Sequence, residues 1–76
     1  MIPDLDKSQL AQRIHYVRTE IAHMTQTQFC RELDMAPATY YNYANAANYP
    51  NARILHAICV RFGVSANWLL GLEDNI

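Results

Sequence analysis

The fold is decided by residues Thr25 to Asn45, TQTQFCRELDMAPATYYNYAN. Thr25 predicts a helix N-cap, and Gln28 three residues later completes a Thr-x-x-Gln capping box. The helix is expected to break before Pro37, because a residue ahead of proline leaves the α region while proline suits a first helical position. The stretch therefore predicts two helices joined by a short turn. This is a helix-turn-helix, whose second helix can enter the major groove of DNA.

Length and composition indicate one small globular domain. The chain has 76 residues, of which 51% are hydrophobic and 17% are charged, and that apolar content argues against disorder. No apolar run approaches the ~18 residues of a membrane span and no signal peptide is visible, which predicts a cytoplasmic protein without a membrane partner. The formal net charge is −1, whereas nucleic-acid-binding domains are commonly basic. Attraction to DNA would have to come from a local arrangement of charge.

The first helix is predicted from its cap and its apolar stripe. A lead-in of residues 1–7 precedes a domain of residues 8–76. Asp6 caps the helix, and Gln9 is expected to complete a capping box. The helix should end near Ala22 and His23, and its apolar face comprises Leu10, Ile14, Val17 and Ile21. Arg13 and Arg18 lie off that face, where they are either solvated or in contact with phosphates.

Two more helices are predicted after the helix-turn-helix. Asn51 caps the fourth helix and Gly63 ends it. Its apolar stripe comprises Leu55, Ile58, Cys59 and Phe62. Ser65 caps the fifth helix, and the core is expected to be closed by Trp68, Leu69 and Leu72. Five helices without any strand pattern give an all-α domain.

The segment from Met35 to Ala52 contains no charged residue. A buried helix would explain this, but four asparagines make the segment too polar. A neutral DNA-recognition surface fits better, because Asn pairs with adenine and Thr, Ala and Tyr side chains contact thymine methyl groups. Phosphate anchors would then be helix N-termini, Gln26 and arginines of neighbouring helices. A face that contacts another protein is the alternative.

Three motifs follow one another along the chain: Met-Thr-Gln-x-x-Phe-Cys-x-x-Leu-x-Met from Met24, then Thr-Tyr-x-x-Tyr-x-Asn with Pro50, then FGVSANWLLGLED. In this order and spacing they resemble the phage repressor and Cro type of helix-turn-helix domain, the lambda repressor-like XRE family. The resemblance covers roughly Leu10 to Leu72. It implies a compact five-helix lambda repressor-like DNA-binding domain, with the recognition helix at about residues 37–45.

The resemblance also implies which residues of the recognition helix read base edges. These positions are Pro37, Ala38 and Asn42, with Tyr41 beside them. Pro37 and Ala38 cannot form the paired hydrogen bonds that Gln or Arg would form at those positions. Reading should therefore shift to Thr39, Tyr41 and Asn42.

Other positions depart from the family pattern or match it. Gln26 matches a glutamine that braces a phosphate, and Asn45 matches the asparagine that closes the recognition helix. Ala44 replaces the acidic residue usual before that asparagine, which frees its arginine partner, Arg18, for another role. Helix 1 is also expected to be one residue longer than usual. The full predicted DNA-binding set is Thr25, Gln26, Pro37, Ala38, Thr39, Tyr41, Asn42, Asn45, Asn48 and Arg18.

No catalytic or metal-binding constellation is visible in the sequence. Cys30 and Cys59 lack a CxxC or His-rich neighbourhood and lie in apolar stripes, which predicts reduced core cysteines. The histidines are scattered at His15, His23 and His56. Without a glycine-rich phosphate loop, paired carboxylates or a nucleophile–base pair, we expect no enzyme, no cofactor and no metal.

These features predict a sequence-specific DNA-binding transcriptional regulator, a repressor that reads a double-stranded operator. We expect a homodimer, held by apolar residues that the core pattern leaves over, namely Tyr49, Ile54, Val60 and Ile76. A chain of 76 residues leaves no room for an effector domain, so no small-molecule effector is expected. The alternative is a repurposed helix-turn-helix that binds another protein, as an antirepressor or assembly factor would, and the near-neutral charge favours it.

Overall fold

The computed structural model describes residues 2–76 and shows an all-helical domain. Met1, the first residue of the expected lead-in 1–7, lies outside the described residues. No strand occurs within residues 2–76, so the predicted all-α class is confirmed. The elements are α1 (Lys7–Tyr16), a π-helical segment (Val17–Ile21), α2 (Gln26–Glu32), α3 (Pro37–Ala44), α4 (Ala52–Phe62) and α5 (Ala66–Leu69). None of these helices is both long and apolar enough to cross a bilayer.

The first helix begins where the sequence predicts, but its cap is simpler. The Asp6 carboxylate accepts hydrogen bonds from the backbone N–H groups of Ser8 and Gln9. The capping box expected from Gln9 is wrong, because the Gln9 carboxamide instead lies against the backbone at Gly71. Asp6 alone therefore satisfies two of the free N–H groups at the helix start.

The end of the first helix widens into the π-helical segment, in which the N–H of Ala22 donates to the Val17 carbonyl at 2.8 Å. A π turn holds one residue more than an α turn. The π turn is compatible with the prediction that helix 1 is one residue longer than usual. Val17 is fully buried, and His23, two residues after the segment, has φ of 53°.

The helix-turn-helix forms as its local sequence predicts. The Gln28 side chain accepts from the Thr25 N–H at 2.9 Å and the Thr25 hydroxyl accepts from the Gln28 N–H at 3.2 Å, which confirms the capping box. Asp34 adopts φ of 52° and closes α2 in the left-handed conformation. Pro37 occupies the first turn of α3, whose N-cap Ala36 provides no side-chain hydrogen bond.

The fourth helix is rotated relative to its predicted stripe. Asn51 caps it and Gly63 ends it with φ of 70°, as expected. The prediction that Ile54 is exposed at a dimer contact is wrong, since its side chain is only 2% exposed. Ile54 and Ile58 are one helical turn apart and both point into the core. The predicted stripe residues Leu55, Cys59 and Phe62 pack at the core edge, half-buried.

The fifth helix closes the core with Trp68 and Leu69, as predicted. The prediction that Leu72 also closes the core is wrong, because its side chain is 72% exposed. The chain turns away from the core at Gly71, where φ is 79° and the following N–H bonds back to the Asn67 carbonyl.

Arg13 ties this C-terminal end to α1. Its guanidinium donates to the carbonyls of Trp68 and Glu73 and lies 5.0 Å from the centre of the Trp68 ring. The expectation that Arg13 is solvated or contacts phosphate is therefore wrong, since its side chain is half-buried against α5 and held there by tertiary contacts.

Candidate nucleic-acid interface

Two tyrosines seat α3 against the rest of the domain. Tyr40 and Tyr43 are three residues apart and both buried. The Tyr40 ring packs edge-to-face on Phe29 of α2, with 5.7 Å between ring centres, an arrangement that aromatic pairs prefer. This packing fixes the rotation of α3 about its own axis, and therefore fixes which of its residues face solvent.

Arg18 fixes Tyr40 in turn. Its Nε donates to the Tyr40 hydroxyl at 2.9 Å and its Nη1 donates to the Met24 carbonyl at 2.9 Å. Its Nη2 lies 3.4 Å from Nδ1 of His15. Arg18, which was predicted to be free for another role, has its half-buried guanidinium bonded to α3 through Tyr40 and to Met24, two residues before α2.

The face of α3 opposite these tyrosines is open. Pro37, Ala38 and Tyr41 are exposed, and Tyr41 is 68% exposed. Thr39 and Asn42 are half-buried. The structure thus brings the five predicted base-reading residues onto one short helix, with the ring of Tyr41 as its most prominent feature.

The C-terminal end of α3 is closed by its own backbone. The Asn42 carbonyl accepts from the Ala47 N–H at 2.9 Å, and Ala46 takes φ of 57°, a conformation that glycine usually supplies. The Asn45 side chain donates to the Tyr41 carbonyl at 3.0 Å, whereas Asn48 is exposed in the following loop. Sequence reasoning did not anticipate this cap, because alanine carries no signal for positive φ.

The start of α2 presents the other predicted contacts. The Thr25 hydroxyl and the Gln28 carboxamide are engaged in the capping box. Gln26 is exposed, and its side chain forms no hydrogen bond within residues 2–76. Gln26 can therefore reach a ligand beside the free N–H groups of the first turn.

The arrangement of cations was not predictable from the net charge. Four of the six have partners inside the fold: Lys7 over the Tyr49 ring, Arg13, Arg18, and Arg61 paired with Glu32. Arg31 and Arg53 are exposed and have no ion pair or hydrogen bond within residues 2–76. Arg53 lies in the first turn of α4, where a cation opposes the helix dipole. That placement is slightly unfavourable for the helix, and nothing within residues 2–76 compensates it.

The cysteines and histidines form no site in the described part of the chain, where no group of three or more metal-ligating side chains occurs. Cys30 is buried, Cys59 is half-buried and both are free thiols. Burial raises the pKa of both thiols, and for Cys30 the nearby Arg18 guanidinium offsets part of that rise. His15, His23 and His56 are exposed.

One of three comparisons with known proteins identifies a family for this chain. A search of curated proteins and a search of solved structures each returned no significant match. The family HTH_3, described as helix-turn-helix, matches residues 14–69, a span from the second half of α1 to the end of α5. Because this match covers 56 of the 76 residues, the chain belongs to the helix-turn-helix family HTH_3, a family of DNA-binding regulators and not of enzymes.

Proposed function

We propose that this protein is a sequence-specific transcriptional repressor of the phage Cro and repressor type, which binds a double-stranded operator with α3 in the major groove. The observation that carries the proposal is the open face of α3, which is free of charge and held in place by Tyr40 and Tyr43. A helix seated by one face and uncovered on the other can enter the major groove. An operator-binding protein also needs access to the genome, in keeping with the cytoplasmic location expected from the sequence.

Specific contacts would come from the side chains along that face. Asn42 can form two hydrogen bonds with adenine, a pairing worth about 1–3 kcal/mol of discrimination. Its side chain forms no hydrogen bond within residues 2–76, so the amide is available. Thr39, Tyr41 and Asn45 surround it, while Pro37 pre-sets the helical backbone at the end that approaches the bases first.

Phosphate contacts would come from positions flanking α3. Gln26 and the adjacent Thr25 lie at the start of α2, and helix N-termini favour phosphate groups. Arg53 lies beside the first-turn N–H groups of α4, so a phosphate there would meet both a cation and the positive end of a helix dipole. Arg31 at the end of α2 is the second unpaired cation. Although the net charge of the chain is −1, these two unpaired arginines would supply the positive charge that DNA binding needs.

The proposal includes a homodimer on a near-palindromic operator, with half-sites about one helical turn, roughly 34 Å, apart. With Ile54 buried, the remaining apolar candidates for the contact are Tyr49, Val60 and Ile76, all of which are exposed. Val60 is 70% exposed on α4. Sedimentation at micromolar concentration, free and with operator DNA, tests this part; a monomer in both states would contradict it.

A binding-site selection on random duplexes tests the main proposal. We expect one enriched sequence, with affinity that falls about tenfold or more in Asn42→Ala, since 1.4 kcal/mol is one decade. Binding of Asn42→Ala to random DNA should barely change. Gln26→Ala is the matched contrast, because loss of a phosphate contact should weaken specific and random sites alike.

One observation favours a second candidate, a repurposed helix-turn-helix that binds a protein. The exposed carbon surface of Ala38 and Tyr41 could also enter an apolar groove of a partner, as amphipathic helices do. The selection separates the two candidates. If no duplex is enriched even at low salt, the DNA-binding proposal fails and the protein-binding candidate replaces it.

A further inference from the structure

The outward face of α3 offers more carbon than hydrogen-bonding groups. Ala38 and Tyr41 are one turn apart and both exposed, so the Ala38 methyl and the Tyr41 ring form a continuous apolar patch. Of the two amides on this face, Asn42 is half-buried and Asn45 already donates one N–H to the Tyr41 carbonyl. No charged residue occurs anywhere between residues 35 and 52.

Base edges in the major groove offer one apolar group, the C5-methyl of thymine, which occurs only on A·T and T·A pairs, whereas every pair also presents hydrogen-bonding atoms. Guanine is read chiefly by Arg or Lys, neither of which α3 carries. Base contacts concentrate toward the N-terminus of a recognition helix, and the patch lies within the first five residues of α3. It therefore matches a methyl group better than any polar base edge. The same methyl is present on 5-methylcytosine.

We infer that the patch of Ala38 and Tyr41 recognises a pyrimidine C5-methyl group, which in unmodified DNA is that of a thymine next to the base that Asn42 reads. This inference rests on the proposed function. Its consequence is that part of the sequence specificity is carried by burial of one methyl group and not by hydrogen bonds. Operators should then be A·T-rich in the half-site region that faces α3.

Substitution of thymine by deoxyuridine tests the inference, because it removes the methyl group and preserves every hydrogen-bonding atom of the base pair. On the selected operator, each thymine is replaced singly, and affinity is measured with the unmodified protein. Burial of one carbon is worth a factor of about four in affinity. We expect a roughly fourfold loss of affinity at one thymine position in each half-site. When that T·A pair is replaced, an operator with 5-methylcytosine·G should bind the protein more tightly than an operator with C·G.

The protein side of the contact is tested with Tyr41→Ala. This variant should bind the thymine operator more weakly and should show no further loss with deoxyuridine, because the ring that contacts the methyl is gone. Leu72→Ala is the control, since Leu72 is as exposed as Tyr41 but follows α5; it should keep the fourfold sensitivity. Thermal melting of both variants verifies that they fold.

The outcomes separate the inference from the proposed function. If a specific operator exists but no deoxyuridine substitution changes affinity, the inference is overturned and the proposed function stands. If Tyr41→Ala remains as sensitive to deoxyuridine as the unmodified protein, another residue reads the methyl and the assignment to this patch is overturned. If selection enriches no sequence, both fall together.

Discussion

The hydrogen bond between Arg18 and Tyr40 determines how firmly α3 is held, and Tyr40→Phe removes it with almost no change in shape. The Tyr40 hydroxyl accepts from Arg18 Nε at 2.9 Å, and the residue is only 2% exposed. A hydrogen bond to a charged group contributes about 1.5–3 kcal/mol. The half-buried guanidinium retains its bond to the Met24 carbonyl and can regain some water. We therefore expect a loss of about 1–2 kcal/mol in the free energy of unfolding.

Urea unfolding followed by fluorescence measures this loss, because Trp68 is the single tryptophan and is buried in the folded state. In a domain of this size each 1 kcal/mol corresponds to a shift of about 4–8 °C in Tm. Tyr41→Phe is the matched control: it makes the same chemical change one residue along the same helix, where the side chain is exposed. Its stability should stay within about 0.5 kcal/mol of the unmodified protein.

A double-mutant cycle with Arg18→Met isolates the pair. Residues that share a hydrogen bond show interaction energies of about 0.5–3 kcal/mol, and we expect about 1–2 kcal/mol here. The reasoning is refuted if Tyr40→Phe costs no more than Tyr41→Phe, or if the two substitutions are additive. Either result would mean that packing alone, chiefly against Phe29, holds α3 in place.

Three further changes follow from the same structure. Ala46→Gly should raise the free energy of unfolding by about 0.5–1 kcal/mol in urea, since Ala46 ends α3 with φ of 57°. Arg53→Ala should reduce the slope of log affinity against log salt by about 0.9 per protomer while Arg61→Ala, whose partner is Glu32, leaves it unchanged. Burial raises the pKa of the Cys30 thiol in the folded state. The stability that the buried neutral thiol contributes is therefore fully present below the ordinary thiol pKa of about 8.5 and is lost as pH rises through the raised pKa of the folded state. Between pH 8 and 10 the free energy of unfolding should fall more steeply for the unmodified protein than for Cys30→Ala.

The elements that sequence reasoning predicted correctly depend on local chemistry. A capping box at Thr25, a proline at the start of α3 and Gly63 at the end of α4 each act within a few residues, so their signals can be read without knowing the fold. These signals place the helix boundaries of the helix-turn-helix.

The features that sequence reasoning missed depend on distant parts of the chain. Arg13 bonds to carbonyls more than fifty residues away, and Arg18 bonds to Tyr40 across 22 residues. No pattern in the sequence distinguishes these arginines from Arg53, which has no partner in residues 2–76. Ile54 was misplaced because one helix offers two overlapping apolar stripes, and only packing against the other helices selects between them.

The small number of unpaired cations has a consequence for specificity if α3 reads DNA as proposed. Non-specific binding is supplied by phosphate contacts and depends on how many cations reach them. With Arg31 and Arg53 as the unpaired cations, a dimer would engage four, giving a salt slope of about −3.6. Specific contacts from Asn42 and Tyr41 carry no charge and are unaffected by this limit. A domain built this way should bind random DNA weakly and its operator with reduced absolute affinity, while the ratio of the two affinities is unchanged, because a missing phosphate contact weakens both alike.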